Sequence, residues 1–262
     1  MKEELKIFFT ALMFYTRIPC PRNIDHSPTY INKATRYFPL IGWIVGIISF
    51  LTFWVSSRMF DANTAVLLSI LAGILVTGAF HEDGLADVAD GFGGGWTKAK
   101  ILEIMKDSRI GAFGVIGLIF TLLIKYLSLS NIFLKTNNEN YQLIALIFVS
   151  YHSLARLTAI NIVFTSQYVR EDENSKAKPV AKEYKSKEIL FAYFFGVAPL
   201  FALSSINWQF MLVIIPLIFL NFYSRYYIKK WIDGYTGDCL GAVEQLGECV
   251  CLLTYVAIWR YT

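Results

Sequence analysis

Three aspartates, Asp83, Asp87 and Asp90, recur at i, i+4 and i+7 within His81-Glu82-Asp83-Gly84-Leu85-Ala86-Asp87-Val88-Ala89-Asp90-Gly91. On a helix this spacing projects all three carboxylates from one face. Like charges that close repel one another, so the pattern costs stability unless a cation sits between them. Carboxylate oxygens with no cysteine and a single histidine nearby suit a hard ion, Mg²⁺ or Mn²⁺, better than zinc. A divalent ion held by few carboxylates completes its shell with phosphate oxygens, which points to metal-assisted phosphoryl transfer. Apolar Leu85, Ala86, Val88 and Ala89 give the same stretch a face to bury, unlike a merely solvated helix end.

Other polar motifs follow. Gly91-Phe92-Gly93-Gly94-Gly95 could offer backbone N–H groups to a phosphate, starting at Gly91, or act as a hinge. Its spacing matches neither a P-loop nor a dinucleotide fingerprint. In Lys106-Asp107-Ser108-Arg109-Ile110-Gly111, Lys106 and Arg109 can neutralise a polyphosphate or simply anchor a helix start at the membrane. Gly234-Tyr235-Thr236-Gly237-Asp238 opens a second cluster that continues to Glu244 and Glu248, one helical turn apart. Acids at the edge of an apolar helix mark an ion or substrate path by default; the alternative is structural pairing with Arg225 or Arg156. Arg156 lies inside an apolar run and needs an acid or a phosphate as partner. Lys125 is explained by snorkelling or a helix pair, and His152 by an interhelical hydrogen bond.

These residues must be positioned by elements that the composition restricts severely. Of 262 residues, 55% are apolar and only 17% charged, with mean hydropathy +0.48. A soluble domain carries about a quarter charged residues and has too little interior for this much Phe, Tyr, Ile and Leu. Disorder, collagen, coiled coil and a disulfide-rich secreted module are excluded, and the four cysteines have no C-x-x-C or zinc spacing and read as reduced thiols. At roughly 20 apolar residues per crossing, seven spans are expected, at 37–57, 62–80, 111–134, 141–165, 189–206, 208–228 and 241–260. A short apolar helix, 5–15, precedes them, and no cleaved signal peptide is expected. The fold class is thus an all-α, polytopic membrane bundle forming one domain, 1–262. Its long polar loops, 17–36, 81–110, 166–188 and 229–240, fall on one side. That side holds 19 of the 24 lysines and arginines, which makes it cytoplasmic.

Taken together, H-E-D-G-L-A-D-V-A-D-G, I-M-K-D-S-R-I-G-A-F-G and G-Y-T-G-D-C-L-G-A resemble the motifs of the cobalamin synthase family. Phe14-Tyr15-Thr16-Arg17-Ile18-Pro19 and Tyr37-Phe38-Pro39-Leu40-Ile41-Gly42 resemble its opening segments, so the similarity runs from about residue 8 to 250. The resemblance implies an enzyme that transfers phosphocobinamide from adenosylcobinamide-GDP to a hydroxyl of α-ribazole, or of its 5′-phosphate, with release of GMP and a requirement for Mg²⁺. It implies that Asp83, Asp87 and Asp90 hold the metal and that Lys106 and Arg109 clamp phosphate oxygens. His81, Glu82 or an aspartate would take the hydroxyl proton. Gly91, Asp107, Ser108, Arg156, Arg225, Gly237, Asp238, Glu244 and Glu248 would bind substrate. The expected partners are the corrinoid nucleotide, α-ribazole and the lipid bilayer, with other nucleotide-loop assembly enzymes and a second copy of the chain left open, and no nucleic acid. The expected location is the inner cell membrane of a prokaryote, multi-pass, with the active site facing the cytoplasm.

Two rival readings share some of these features. Another Mg²⁺-dependent membrane phosphotransferase or prenyltransferase would also carry Asp-rich helix ends, with a lipid alcohol or isoprenoid diphosphate as reactant. A cation-coupled transporter would also carry acids in its spans, though paired broken helices and repeat symmetry are missing from the pattern.

Overall fold

A computed structural model describes residues 3–22, 24, 27–136, 140–169 and 186–260. Among them the chain forms eleven α-helices, with short 3-10 turns at Thr35–Tyr37 and Trp208–Val213. Helix α1 (Glu3–Tyr15) and α2 (Pro28–Ala34) lead into α3 (Phe38–Ser56), α4 (Ala62–Thr77), α5 (Phe80–Gly94) and α6 (Lys98–Ile104). The remaining helices are α7 (Ala112–Lys135), α8 (Tyr141–Thr165), α9 (Ser186–Ser204), α10 (Ile214–Ile232) and α11 (Gly237–Arg260). Among the described residues, six helical segments are long and apolar enough to cross a membrane, and the α4–α5 pair makes a seventh if counted as one broken span.

Helix α8 is the axis of the bundle, because nearly all of its length is buried against α3, α9 and α11. Gly42 and Gly46 let α3 lie directly on it: a Cβ at either would come within 2.8 Å of the carbonyl oxygen of His152 or Phe148. Where apolar tails replace water, such small-residue seams are how helices gain contact. The outer helices show the complementary pattern. Phe120 and Leu127 on α7, and Phe219 and Phe222 on α10, stand exposed on faces that suit lipid.

The expected spans match these helices closely, and 141–165 coincides with α8. The span expected at 62–80 ends instead at Thr77, and the stretch 81–110, expected as a polar loop, is largely helical as α5 and α6. The reason lies at Gly78 and Ala79, both left-handed with φ of 68° and 57°. The Ala79 N–H closes back onto the Ile74 carbonyl at 2.9 Å, capping α4. The chain leaves at 89° to α4 and restarts as α5. Part of the expected loop 17–36 (residues 23, 25 and 26) and most of 166–188 (residues 170–185) lie outside the described residues.

The bend tolerates a glycine but not a larger residue at its first position. A Cβ on Gly78 would meet Arg17 Nε at 2.4 Å in addition to the left-handed backbone penalty. Gly78→Ala should therefore destabilise the protein by about 1–2 kcal/mol, while Ala79→Gly should not, as read by thermal unfolding in detergent.

Candidate active site

Helix α5 has two working faces. His81 and Glu82 are buried and turn into the bundle, whereas Asp83 is exposed and Asp87 half-buried on the opposite face. Gly84 decides what meets that face, because a Cβ there would lie 2.9 Å from the Asp238 carbonyl oxygen and 3.0 Å from its Cα. Gly241, one turn into α11, touches α5 in the same way at the His81 carbonyl. The two acidic motifs, more than a hundred residues apart in the chain, are thus joined at a glycine-on-glycine crossing. A short parallel pairing, Tyr235 N–H to the Gln167 carbonyl at 2.9 Å and Val169 N–H to the Tyr235 carbonyl at 3.0 Å, fixes the entry to α11. Gly237 and Asp238 then form its first turn.

Asp90, expected with Asp83 and Asp87 to hold the metal, is engaged by the start of α7. Its Oδ2 accepts the Gly111 N–H at 2.6 Å and its Oδ1 the Gly114 N–H at 2.8 Å. Helix α7 opens on Gly111, which has no side chain to cap the free N–H groups of a first turn, and Asp90 does so from α5. Side chains at Gly111 or Gly114 would collide with this carboxylate, at 2.4 and 2.5 Å. Asp83 is exposed and Asp87 half-buried on the outer face of α5, and the backbone of Asp238 packs on the same helix at Gly84. Gly91 is buried within α5, where Met105 fills the place a Cβ would occupy, so it packs against the end of α6.

Between α6 and α7, Lys106, Ser108 and Arg109 are exposed. Arg109 is held by Asp107, Nη2 to Oδ2 at 2.7 Å. This contact lowers the Asp107 carboxyl from its usual 3.8 to about 2. The pair is complete above the ordinary carboxylate range and is lost only as pH falls through about 2. The guanidinium is thus oriented, with its outer side toward solvent.

Glu244 and Glu248 do not reach the open face; they lie at the centre of the bundle, 0% and 2% exposed. Arg156 Nη1 meets Glu244 Oε1 at 2.8 Å and Glu248 Oε1 at 3.4 Å. Lys125 Nζ donates to Glu248 Oε2 at 2.5 Å and to Gln245 Oε1 at 2.6 Å, and His152 Nδ1 bonds Glu248 Oε1. The snorkelling reading of Lys125 therefore fails and the helix-pair reading holds. His152, expected as an interhelical hydrogen-bonder, is one, and its partner makes it part of the cluster. Arg225 is half-buried on α10 and takes no part in these pairs. Among the described residues, His152, Glu244 and Glu248 are the group whose ligand-type atoms converge within 4.8 Å, but Arg156 and Lys125 already balance them. The signal available for Lys125 and His152 was their depth in apolar runs, where charges must find each other.

A polytopic helical bundle with a carboxylate face at a helix crossing, backed by a balanced ionic core, has the makings of a membrane-embedded transferase. The chain belongs to the family described as Cobalamin-5-phosphate synthase, which it matches over residues 7–256. It is 42% identical over 262 residues to the adenosylcobinamide-GDP ribazoletransferase of Shewanella amazonensis, covering 98% of this chain and 97% of that one. The enzyme of the same name from Shewanella frigidimarina is 40% identical over 255 residues, with coverage of 97% and 95%. No solved structure matches the chain.

The capping role of Asp90 separates it from Asp83 in a simple comparison. Asp90→Ala should cost about 1–3 kcal/mol by stranding two N–H groups at the start of α7. Asp83→Ala, on an exposed face, should leave thermal unfolding without added divalent ions unchanged.

Proposed function

We propose that the chain joins adenosylcobinamide-GDP to α-ribazole, or to α-ribazole 5′-phosphate, giving adenosylcobalamin or its 5′-phosphate and GMP. Near-full-length identity to enzymes named for this transfer supports the reading. The observation that carries it in the structure is the crossing at Gly84 and Gly241, which packs the backbone of Asp238 onto the helix that bears Asp83 and Asp87.

In the transfer, a new bond forms between a free ribose hydroxyl oxygen of the ribazole and the phosphorus that bears cobinamide. The bond from that phosphorus to the bridging oxygen breaks, GMP departs with the electron pair, and the hydroxyl proton passes to a base. His81 and Glu82 face the interior, so the base is an aspartate of the open face. Lys106 and the exposed side of Arg109 offer positive charge to the phosphates, and Asp107 keeps Arg109 oriented. Asp83, Asp87 and Asp238 would hold Mg²⁺ through carboxylate oxygens, the hard donors that this ion takes. When bound there, Mg²⁺ would supply Lewis-acid polarisation of the pyrophosphate and neutralise charge on the leaving nucleotide. The excess of basic residues on the long-loop side supports a reading in which this face looks toward the cytoplasm from the inner membrane.

Purified protein incubated with both substrates should release GMP and form the corrinoid product only with Mg²⁺, and chelation should stop both. Asp83→Asn should lower turnover by about 10³-fold or more, the scale of losing a principal electrostatic contributor, without loss of membrane insertion. An active Asp83→Asn protein would remove the metal role assigned to this face.

A further inference from the structure

At the end of the bundle remote from the carboxylate face, the helices leave a cavity of about 180 Å³. Its walls come from three elements. Leu143 belongs to the first turn of α8, Ile206, Asn207 and Phe210 to the link between α9 and α10, and Ile258 and Trp259 to the last turn of α11. Trp259 lies about 30 Å along α11 from Asp238. The cavity is apolar at the back, where Leu143 and Phe210 are buried, and Phe210 meets Tyr255 and Trp259 edge-on with ring centroids 5.3 and 5.6 Å apart. Asn207 adds little polarity, because Gln209 engages its amide: Oδ1 accepts the Gln209 N–H at 3.0 Å and Nδ2 donates to Gln209 Oε1 at 3.1 Å. Apolar cavities of about 150 Å³ stay dry and take up apolar guests such as benzene.

Two observations say which guest. Ile206 is 47% exposed, so one wall of the cavity reaches the outer surface of a membrane bundle, where the surrounding apolar medium is lipid chain. The second is charge. Lys135, the last residue of α7, donates to the carbonyl oxygen of the lining residue Trp259 at 3.2 Å, and its exposed ammonium keeps two further donors. Arg260 follows Trp259 and is exposed, and Arg58 lies over the ring of Tyr141 at the start of α8, 5.6 Å from its centroid. Among the described residues none of these three cations pairs with an acid. Asp61, the acid described at this end, is occupied in capping α4. A dry cavity with a basic rim at the end of a span matches a molecule with an apolar chain and an anionic head.

We infer that this cavity seats the end of one acyl chain of an anionic phospholipid, drawn from the leaflet opposite the carboxylate face, with the lipid phosphate at Lys135. The chain supplies the dispersion contacts that the cavity walls otherwise lack, and it joins the end of α11 to the start of α8 and to the α9–α10 link.

The test uses the full-length protein in detergent, stripped of lipid and then titrated with phosphatidylglycerol or phosphatidylcholine while its unfolding temperature is followed. Phosphatidylglycerol should raise that temperature by a few degrees and saturate at one lipid per chain, and phosphatidylcholine should need at least ten-fold more lipid for the same rise. Ile258→Phe fills the cavity and should remove most of the rise, whereas Leu71→Phe, on the exposed surface of α4, should retain it. Lys135→Gln should abolish the preference between the two lipids. Native mass spectrometry of the unaltered protein, which should retain one phosphatidylglycerol, gives a readout should Ile258→Phe fail to fold. No retained lipid, an equal response to both headgroups, or a full rise in a folded Ile258→Phe protein would overturn the inference. None of these readouts depends on turnover, so a failure of the transferase reading would not be confused with a failure here.

Discussion

The ionic contacts of Glu248 are what the rest of the bundle depends on. One carboxylate at the centre of an apolar molecule is met by Lys125 from α7 and by His152 and Arg156 from α8. Opposite charges in so dry a place attract strongly, but each costs several kcal/mol to strip of water, so the balance favours folding only when every member is in place. The network therefore contributes less to bulk stability than to uniqueness. A slip of α11 by one turn would leave charges facing hydrocarbon, a far worse arrangement than any loss of van der Waals contact.

That fixed register is what the outer face uses. With α11 locked against α8, Gly241 and Gly84 meet, and the first turn of α11 is delivered to α5. On the far side of α5, Asp90 grips the start of α7, so the helix is held at both ends by different means. Neighbouring carboxylates must resist their own repulsion, and here the resistance comes from backbone contacts that cannot be screened or titrated.

Much of this was legible in the sequence. Seven apolar runs, the segregation of basic residues and the i, i+4, i+7 aspartates follow from local periodicity, and the helix carrying them is present as α5. The division of labour among the three aspartates was not legible, because it depends on where α7 begins in space. A hint lay in Ile110-Gly111-Ala112-Phe113-Gly114: an apolar helix opening on glycine, with no Ser, Thr, Asn or Asp at its cap, asks for a cap from elsewhere. Glu244 and Glu248 were legible either as substrate ligands or as partners of Arg156 or Arg225, and the pairing with Arg156 is present. Period alone says that they share a face with each other, not that the face meets Arg156 and Lys125. The right-angle turn at Gly78 and Ala79 was hidden for a similar reason, since Ala79 adopts a conformation that its side chain does not favour.

The bend also makes α4 a measuring rod. Because α5 leaves its end at 89°, the direction of departure is set by the number of residues in α4. One residue added or removed would swing the exit by about 100° and shift it by about 1.5 Å, sweeping the carboxylates away from the first turn of α11. Substitutions on the outer surface of α4, such as at the exposed Leu67, Leu71 and Leu75, have no such effect. Drift in this lineage should accordingly change the letters of α4 freely on that surface while leaving the spacing from Asp61, its N-terminal cap, to Gly78 untouched.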